Sequence, residues 1–449
     1  MRRHVIIGRF GMDDRTPVPT ASDEVASNLQ LVDRTRILHG IGRALDDLRN
    51  SGLAPSEIGA DLLVVAAHVH AADTRLARAT ESQDGWTREI RLVIPVSDPS
   101  RWNAAAPILV RALNFLTGDK WQMGFRGRPL QFEHLIRPLP PSLLPHPFDG
   151  VSLFSGGMDS LIGAIDSLER GETPLLVSHA GEGLVSKSQE ECFNGLNEAY
   201  KGSAFGRLRV WMSFDAGLLS EVGSEGTTRG RSFLFFSLGV AAGTALQQDF
   251  VLKVPENGLI ALNVPLDRLR LGALSTRTTH PFYIARWNEL IQSLGVPGRL
   301  ENPYWDKTKG EMAADCLNPQ VLKRLVPASL SCSSPTKARW TGGDQGHCGY
   351  CLPCLIRRAA LLGIDDTPYG LSDLRSRVLD TNQAEGKQVR SFQIAIDRLA
   401  ARPELANMLI HKPGPLYDDA SRNEAHADVY RRGLQEVGRL LAGVRTAPL

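Results

Sequence analysis

The sequence predicts an α/β protein whose main unit is a parallel sheet with helices on both faces, stapled by a cysteine knuckle and preceded by an α+β region. Three observations carry this. After residue 150, short apolar runs alternate with helical patterns, and β-α-β-α alternation is the sequence form of a helix-covered parallel sheet. The first of these runs ends at Ser155-Gly156-Gly157-Met158-Asp159-Ser160, with an apolar helical pattern directly behind it. Three of the six cysteines, Cys348, Cys351 and Cys354, fall within seven residues.

In chain order, Val5-Ile6-Ile7 and Ile90-Arg91-Leu92-Val93-Ile94-Pro95 read as strands, and 108–116 has helical apolar spacing. The run 61–68 fits either form. These make residues 1–137 an α+β domain with no catalytic motif of its own, available to hold a partner. Five prolines in 138–148 resist helix and sheet and mark a linker. Strands are then expected at 151–154, 175–179, 208–214 and 250–254, with helices at 159–168, 187–200 and 231–246. Ligands of such sheets sit at the carboxyl ends of the strands. The main unit is taken as 149–365, with the knuckle at 332–354. Residues 366–449 read as a helical extension with charged faces, interrupted by a loop at 409–419.

The 449-residue chain is long enough to bury its core without disulfides. Its formal charge of +2 gives no global attraction for nucleic acid or membrane. No apolar run approaches the roughly 20 residues needed to span a bilayer. The early apolar run is too short for a signal peptide, with Arg9 and Asp13 following at once. A cytoplasmic location is the expectation, and clustered cysteines there point to metal or catalysis before disulfides.

The glycine pair suits a polyphosphate. Gly156 and Gly157 let backbone approach an anion, and successive N–H groups at a helix start form an anion nest. Ser155 and Ser160 can donate hydroxyl hydrogens to phosphate oxygens. Asp159 is unexpected beside an anion, and reads as a helix cap or as a ligand for the magnesium that accompanies ATP. The loop is not a Walker A, because Gly-Lys-Ser/Thr is absent.

Cys332, Cys348, Cys351 and Cys354 can close a tetrahedral zinc site. An iron–sulfur cluster would use the same residues, a redox pair is a further reading, and His347 is a possible replacement for one thiolate. With four protein ligands no position stays open, so the metal is expected to be structural. Cys192 and Cys316 read as ordinary buried thiols.

Together the two motifs resemble the 7-cyano-7-deazaguanine synthase (QueC-like) family, which pairs a Ser-Gly-Gly-x-Asp-Ser loop with a Cys…Cys-Gly-x-Cys-x-x-Cys knuckle. The resemblance covers residues 150–362. Two weaker features join it: Arg231-Ser232, where the family has Arg-Asn, and Lys309-Gly310-Glu311, where it has Lys-x-Glu before a helix. The resemblance implies an adenine nucleotide α-hydrolase (PP-loop) fold with a five-stranded parallel sheet. It implies that ATP, with Mg2+, adenylates a 7-deazaguanine carboxylate, releasing pyrophosphate, and that an amine then displaces AMP. Ser155, Gly156, Gly157, Asp159 and Ser160 would hold ATP. Asp159, Arg231 and Lys309 would carry the chemistry, and the four cysteines would hold structural Zn2+.

The chain departs from the housekeeping enzyme in length and in lacking its Ser-Gly-Tyr-Pro-Asp-Cys-Arg stretch. In its place stand Glu256-Asn257-Gly258, Pro265-Leu266-Asp267-Arg268 and Ser275-Thr276-Arg277-Thr278-Thr279-His280. Asn257, Arg268, Ser275, Thr276, Arg277 and His280 are expected to line a substrate pocket. An enlarged chain of this kind is similar to the QueC-like components of bacterial anti-phage systems, Qat above all, which implies an acceptor amine on a partner protein from the same operon. The alternatives are a nitrile-forming synthase for modified tRNA bases, another ATP pyrophosphatase such as a tRNA thiolase, and a nucleotide-binding scaffold without catalysis.

Overall fold

A computed structural model describes residues 3–83, 85–139, 146–181, 183–215, 217–219, 225–267, 277–336 and 346–449. The N-terminal sheet has four strands, β1 (Arg3–Arg9), β2 (Glu24–Gln30), β3 (Glu89–Val96) and β4 (Lys120–Gly127), in the order β2-β1-β3-β4. Every pairing is parallel. The α+β expectation is therefore corrected: this region is itself α/β. The sequence hid β4 because its faces differ, with Lys120, Gln122 and Arg126 interleaved between the buried Trp121 and Phe125. Two helices cover the sheet, α1 (Glu57–Arg75) and α2 (Pro99–Thr117). The ambiguous run 61–68 lies inside α1, where it is buried all round. Such a helix shows no apolar stripe, so periodicity does not announce it.

The second sheet holds β5 (Gly150–Leu153), β6 (Pro174–His179), β7 (Gly206–Val210), β8 (Phe250–Lys253) and β9 (Gly298–Glu301). All pairings are parallel, in the order β9-β8-β5-β6-β7. Its first helices are α3 (Met158–Glu169), α4 (Gly183–Ala199) and α5 (Arg231–Thr244). Strand β7 ends at Val210, four residues before the expected end. Sequence patterning did not locate β9, whose Gly-Arg-Leu-Glu has only Leu300 buried, as suits an edge strand. The chain runs outward from β5 through β6 and β7, then returns to the other side of β5 as β8 and β9. The strand order thus reverses between β5 and β8. Above such a reversal, neighbouring loops part in opposite directions and leave a crevice.

The two sheets share one hydrophobic core, running from Ile6 and Leu92 through Val64 and Ala241 to Leu153 and Leu252. Helix α1 meets α5 so closely that a Cβ on Gly59 would lie 2.4 Å from Thr244 Oγ1. A buried ion cluster fixes the same junction. Arg88 and Arg78 both reach Asp119 Oδ2, at 2.6 and 2.7 Å. Arg88 also meets Asp73 at 3.2 Å, and Asp73 accepts the Gly230 N–H at 2.7 Å, just before α5. Removing one partner strands a buried charge. Asp119→Ala is expected to cost about 3–5 kcal/mol, read from urea unfolding.

The C-terminal region is helical, as expected, with α9 (Ala384–Ala401) and α10 (Asn423–Leu441). These pack with α8 (Leu352–Ala360) into a second core. Among the described residues no helix is long and apolar enough to cross a membrane.

Candidate functional site

The Ser155-Gly156-Gly157 turn leaves β5 at the reversal point. Gly156 turns with φ +80°, a conformation open to glycine, and a Cβ there would lie 2.9 Å from the Gln189 nitrogen. The turn is pinned through its carbonyl: Gly156 O accepts Leu330 N–H at 2.9 Å and Ser188 Oγ–H at 2.7 Å. Ser155 Oγ and Ser160 Oγ stand 3.1 Å apart, and Ser155 Oγ accepts the Gly157 N–H at 3.2 Å. Helix α3 starts from Gly157 with no side-chain cap. Its first N–H groups meet hydroxyls instead, the Gly157 N–H that of Ser155 and the Met158 N–H, at 3.5 Å, that of Ser331, and a helix start of this kind favours an anion. Gly156→Ala is expected to destabilise by about 1–2 kcal/mol from the backbone alone, with a lower melting temperature as the readout.

Asp159 is not the cap, which corrects one of its two expected roles. It lies in the first turn of α3, where Lys309 Nζ meets Oδ1 at 2.7 Å and Asn257 Nδ2 donates to Oδ2 at 2.7 Å. All three residues are buried. Both carboxylate oxygens are thus engaged inside the protein, one of them by a cation. Lys309 opens the helix α7 (Lys309–Ala314), whose capping box pairs Thr308 with Glu311. Glu436 of α10 accepts the Thr308 hydroxyl and the Gly310 N–H. The C-terminal helix therefore sets where Lys309 points.

Across the crevice, β8 continues into Glu256 and Asn257. Lys253 pairs with Ser152, after which the two chains part, Val254 N–H to Glu301 O and Phe154 N–H to Val177 O, each at 2.8 Å. Asn302, after β9, fixes the Glu256 backbone from both sides, at 3.2 and 2.7 Å. The half-buried Glu256 carboxylate accepts the buried Thr279 hydroxyl. Burial, with the Asp159 charge adding to it, pushes the Glu256 carboxyl up to about 7, against the pull of Thr279 and Lys309.

Of the expected substrate residues, Asn257, Arg277 and His280 are described, and each makes contacts within the protein. Asn257 is fully buried and turned into the protein: its Oδ1 caps the helix Gly258–Leu262 and its Nδ2 holds Asp159. His280 caps α6 (Pro281–Ser293) by accepting the Phe282 N–H at 3.2 Å, and burial pulls its imidazole down to about 3. Arg277 donates to Phe115 O at 2.9 Å and lies over the Phe115 ring, which ties it to α2. Arg268, Ser275 and Thr276 lie outside the described residues.

Arg231 opens α5 and reaches the carboxyl end of β6. A Cβ on Gly181 would come within 2.9 Å of its Nη2. Burial and this guanidinium together pull His179 down to about 4. The buried His70 of α1 packs edge-on against His179 at 5.8 Å. A helix residue from the N-terminal region thus stands near Arg231, which the motifs did not foretell. A cavity of about 1000 Å3 lies elsewhere, between the N-terminal region and the segment after β7, lined by Arg36, Arg43, Arg49, Arg137, Trp211 and Asp215.

The four expected metal ligands converge. The sulfurs of Cys332, Cys348, Cys351 and Cys354 lie within 4.8 Å of one another, with contacts of 3.8 and 4.0 Å. Tetrahedral zinc with Zn–S bonds of about 2.3 Å separates its sulfurs by about 3.8 Å, so the donor set fits a structural metal such as zinc. The Cys351 N–H also points to Cys348 Sγ at 3.3 Å. His347 is not among the ligands: its Nε2 accepts the Ser331 N–H at 3.0 Å. Ser331 in turn meets the Met158 N–H through its hydroxyl, at 3.5 Å. The knuckle and the Ser155-Gly156-Gly157 turn are therefore adjacent through 329–332. Cys192 and Cys316 are buried free thiols, as expected.

No family model matches the chain, and no curated protein matches it in sequence.

Proposed function

We propose that this chain is a PP-loop ATP pyrophosphatase of the 7-cyano-7-deazaguanine synthase type, which adenylates a 7-deazaguanine carboxylate and passes it to an amine. One observation carries the reading: a Ser-Gly-Gly turn opening a helix stands at the strand-order reversal of a five-stranded parallel sheet, with a buried lysine beside it. Such a crevice suits a polyphosphate.

The chemistry needs positioning and charge, not a protein nucleophile. The nest at Gly156–Gly157 holds the phosphate chain, with its α-phosphorus towards the substrate carboxylate. A carboxylate oxygen attacks that phosphorus and pyrophosphate leaves. Lys309, released in part from Asp159, follows the charge growing on the leaving group. Arg231 offers a second cation from the next strand end. Mg2+ bound with ATP supplies further charge neutralisation. Zinc would be held by the thiolates of Cys332, Cys348, Cys351 and Cys354 and would serve to keep the site's shape. The acceptor is placed on a partner protein in anti-phage defence, held by the N-terminal sheet, on the family resemblance together with the shared core that links that sheet to Arg231.

The test is pyrophosphate release from ATP with 7-carboxy-7-deazaguanine. Acid-dependent release is expected, and a deazaguanine-amide mass on a co-expressed operon partner identifies the acceptor. No release with or without partner overturns the reading. Accumulation of free nitrile base would assign the chain to the housekeeping reaction instead.

A further inference from the structure

We infer that the cavity of about 1000 Å3 between the N-terminal region and the segment after β7 is a nucleotide site of its own, with a polyphosphate on its arginines and the base on Trp211. It stands apart from the adenylation reading. No residue of the Ser155-Gly156-Gly157 turn lines this cavity, and neither do Asp159, Arg231 or Lys309.

Three stretches of chain build its walls. The stretch after β2 brings Arg36, Arg43 and Arg49, the chain after β4 brings Arg137, and the chain after β7 brings Trp211 and Asp215. The first and third walls are locked together. His39 Nε2 meets Gln30 O at 2.6 Å, and its ring lies 4.7 Å from that of Phe214. Gly40 approaches the third wall so closely that a Cβ there would lie 2.0 Å from Trp211 O, and its φ of +81° suits glycine. The cavity therefore has its shape before a ligand arrives. Its volume is at the upper end of the range for small-molecule sites, about 300–1000 Å3.

Charge selects the ligand. Four guanidiniums line the space against two carboxylates, Asp46 and Asp215. Arg49 Nη1 donates to Arg137 O and Pro138 O, at 3.0 and 3.2 Å. Arg43 Nε stands 3.8 Å from Asp47. The guanidiniums of Arg36 and Arg137 make no hydrogen bond or ion pair among the described residues. Cations gathered in one cleft raise the local concentration of anions, and the planar guanidinium fork matches phosphate oxygens two at a time. Several such forks around one space suit a chain of phosphates better than a single small anion. Trp211 supplies the other half. Its side chain is half exposed, at 50%, and makes no hydrogen bond among the described residues. A base stacked on the indole covers that ring, and stacking of this kind tolerates any base. Asp46 and Asp215 remain as acceptors for sugar hydroxyls.

The test is calorimetric binding of α,β-methylene-ATP to the full chain. Two molecules per chain are expected, one in the crevice and one here. Arg36→Ala combined with Arg137→Ala is expected to weaken one of the two about 10- to 100-fold. Trp211→Ala is expected to weaken the same one about 5- to 150-fold. Lys309→Ala is expected to weaken only the other. Both arginines are exposed and unpaired among the described residues, so the double variant should keep its melting temperature. Nucleotide binding untouched by all the cavity substitutions would overturn the inference, whatever Lys309→Ala does. A hexaglutamate peptide binding through the same residues as tightly as the nucleotide would assign the cavity to an acidic protein segment and overturn it equally. One molecule per chain, lost with the arginines and kept in Lys309→Ala, would support this site and overturn the crevice reading. No binding at all would overturn both.

Discussion

Lys309→Ala is expected to lower acid-dependent pyrophosphate release by about 100- to 1,000-fold, the scale seen when one preorganised donor to developing charge is removed. The expectation follows from where the ammonium sits. It is buried, 2.7 Å from Asp159, and carried on the first residue of a capped helix that Glu436 braces from behind. A cation fixed in this way needs little reorganisation when charge grows on the leaving pyrophosphate. The single change also leaves Asp159 buried with Asn257 as its remaining partner, and that costs stability as well as rate. The double variant Lys309→Ala with Asp159→Ala separates these effects. It is expected to recover much of the lost melting temperature and none of the rate. Recovery of rate in the double variant would show that the pair serves folding alone.

The same lysine shows what was legible in the sequence. Lys309-Gly310-Glu311 stood out as a short motif, and the capping box around it is a local signal. Its partner Asp159 was legible as a residue, read as a cap or a magnesium ligand, and its pairing with Lys309 was not, because the contact spans 150 positions. The parallel sheet was legible from strand and helix alternation, since its inner strands are continuous apolar runs. Strands β4 and β9 were not, because exposed faces and edge positions put polar residues where a pattern search wants apolar ones. The cysteines were fully legible, since a tetrahedral donor set constrains type and spacing together. Asn257, Arg277 and His280 cap helices or tie the junction to Phe115, and composition alone does not distinguish a cap from a ligand contact. Glu256 stood in the same run, and its contact with Thr279 and its backbone clamp on Asn302 are tertiary features that no sequence pattern states.

Cys351→Ser is expected to abolish metal binding, lower the melting temperature sharply, and weaken ATP binding even where folded protein is recovered. The first effect follows from coordination: three thiolates and an alcohol make a poor zinc site. The second follows because a structural metal's binding energy is also folding energy. Cys351 starts α8, and the fully buried Arg357 of that helix donates to Val326 O at 2.7 Å and Ser329 Oγ at 2.8 Å. The third effect is the informative one. From Ser329 the chain passes to Leu330, whose N–H holds Gly156 O, and to Ser331, which is bound by His347 on one side and faces Met158 on the other. Cys332 then joins that segment to the four-cysteine cluster. The glycine turn is thus held in its φ-positive form partly by a strap whose far end is that cluster. Metal content by elemental analysis and ATP affinity by calorimetry should fall together as chelator is added to the unaltered protein. If the metal can be stripped with ATP affinity intact, the strap does not shape the loop, and the closeness of the two sites is a matter of packing.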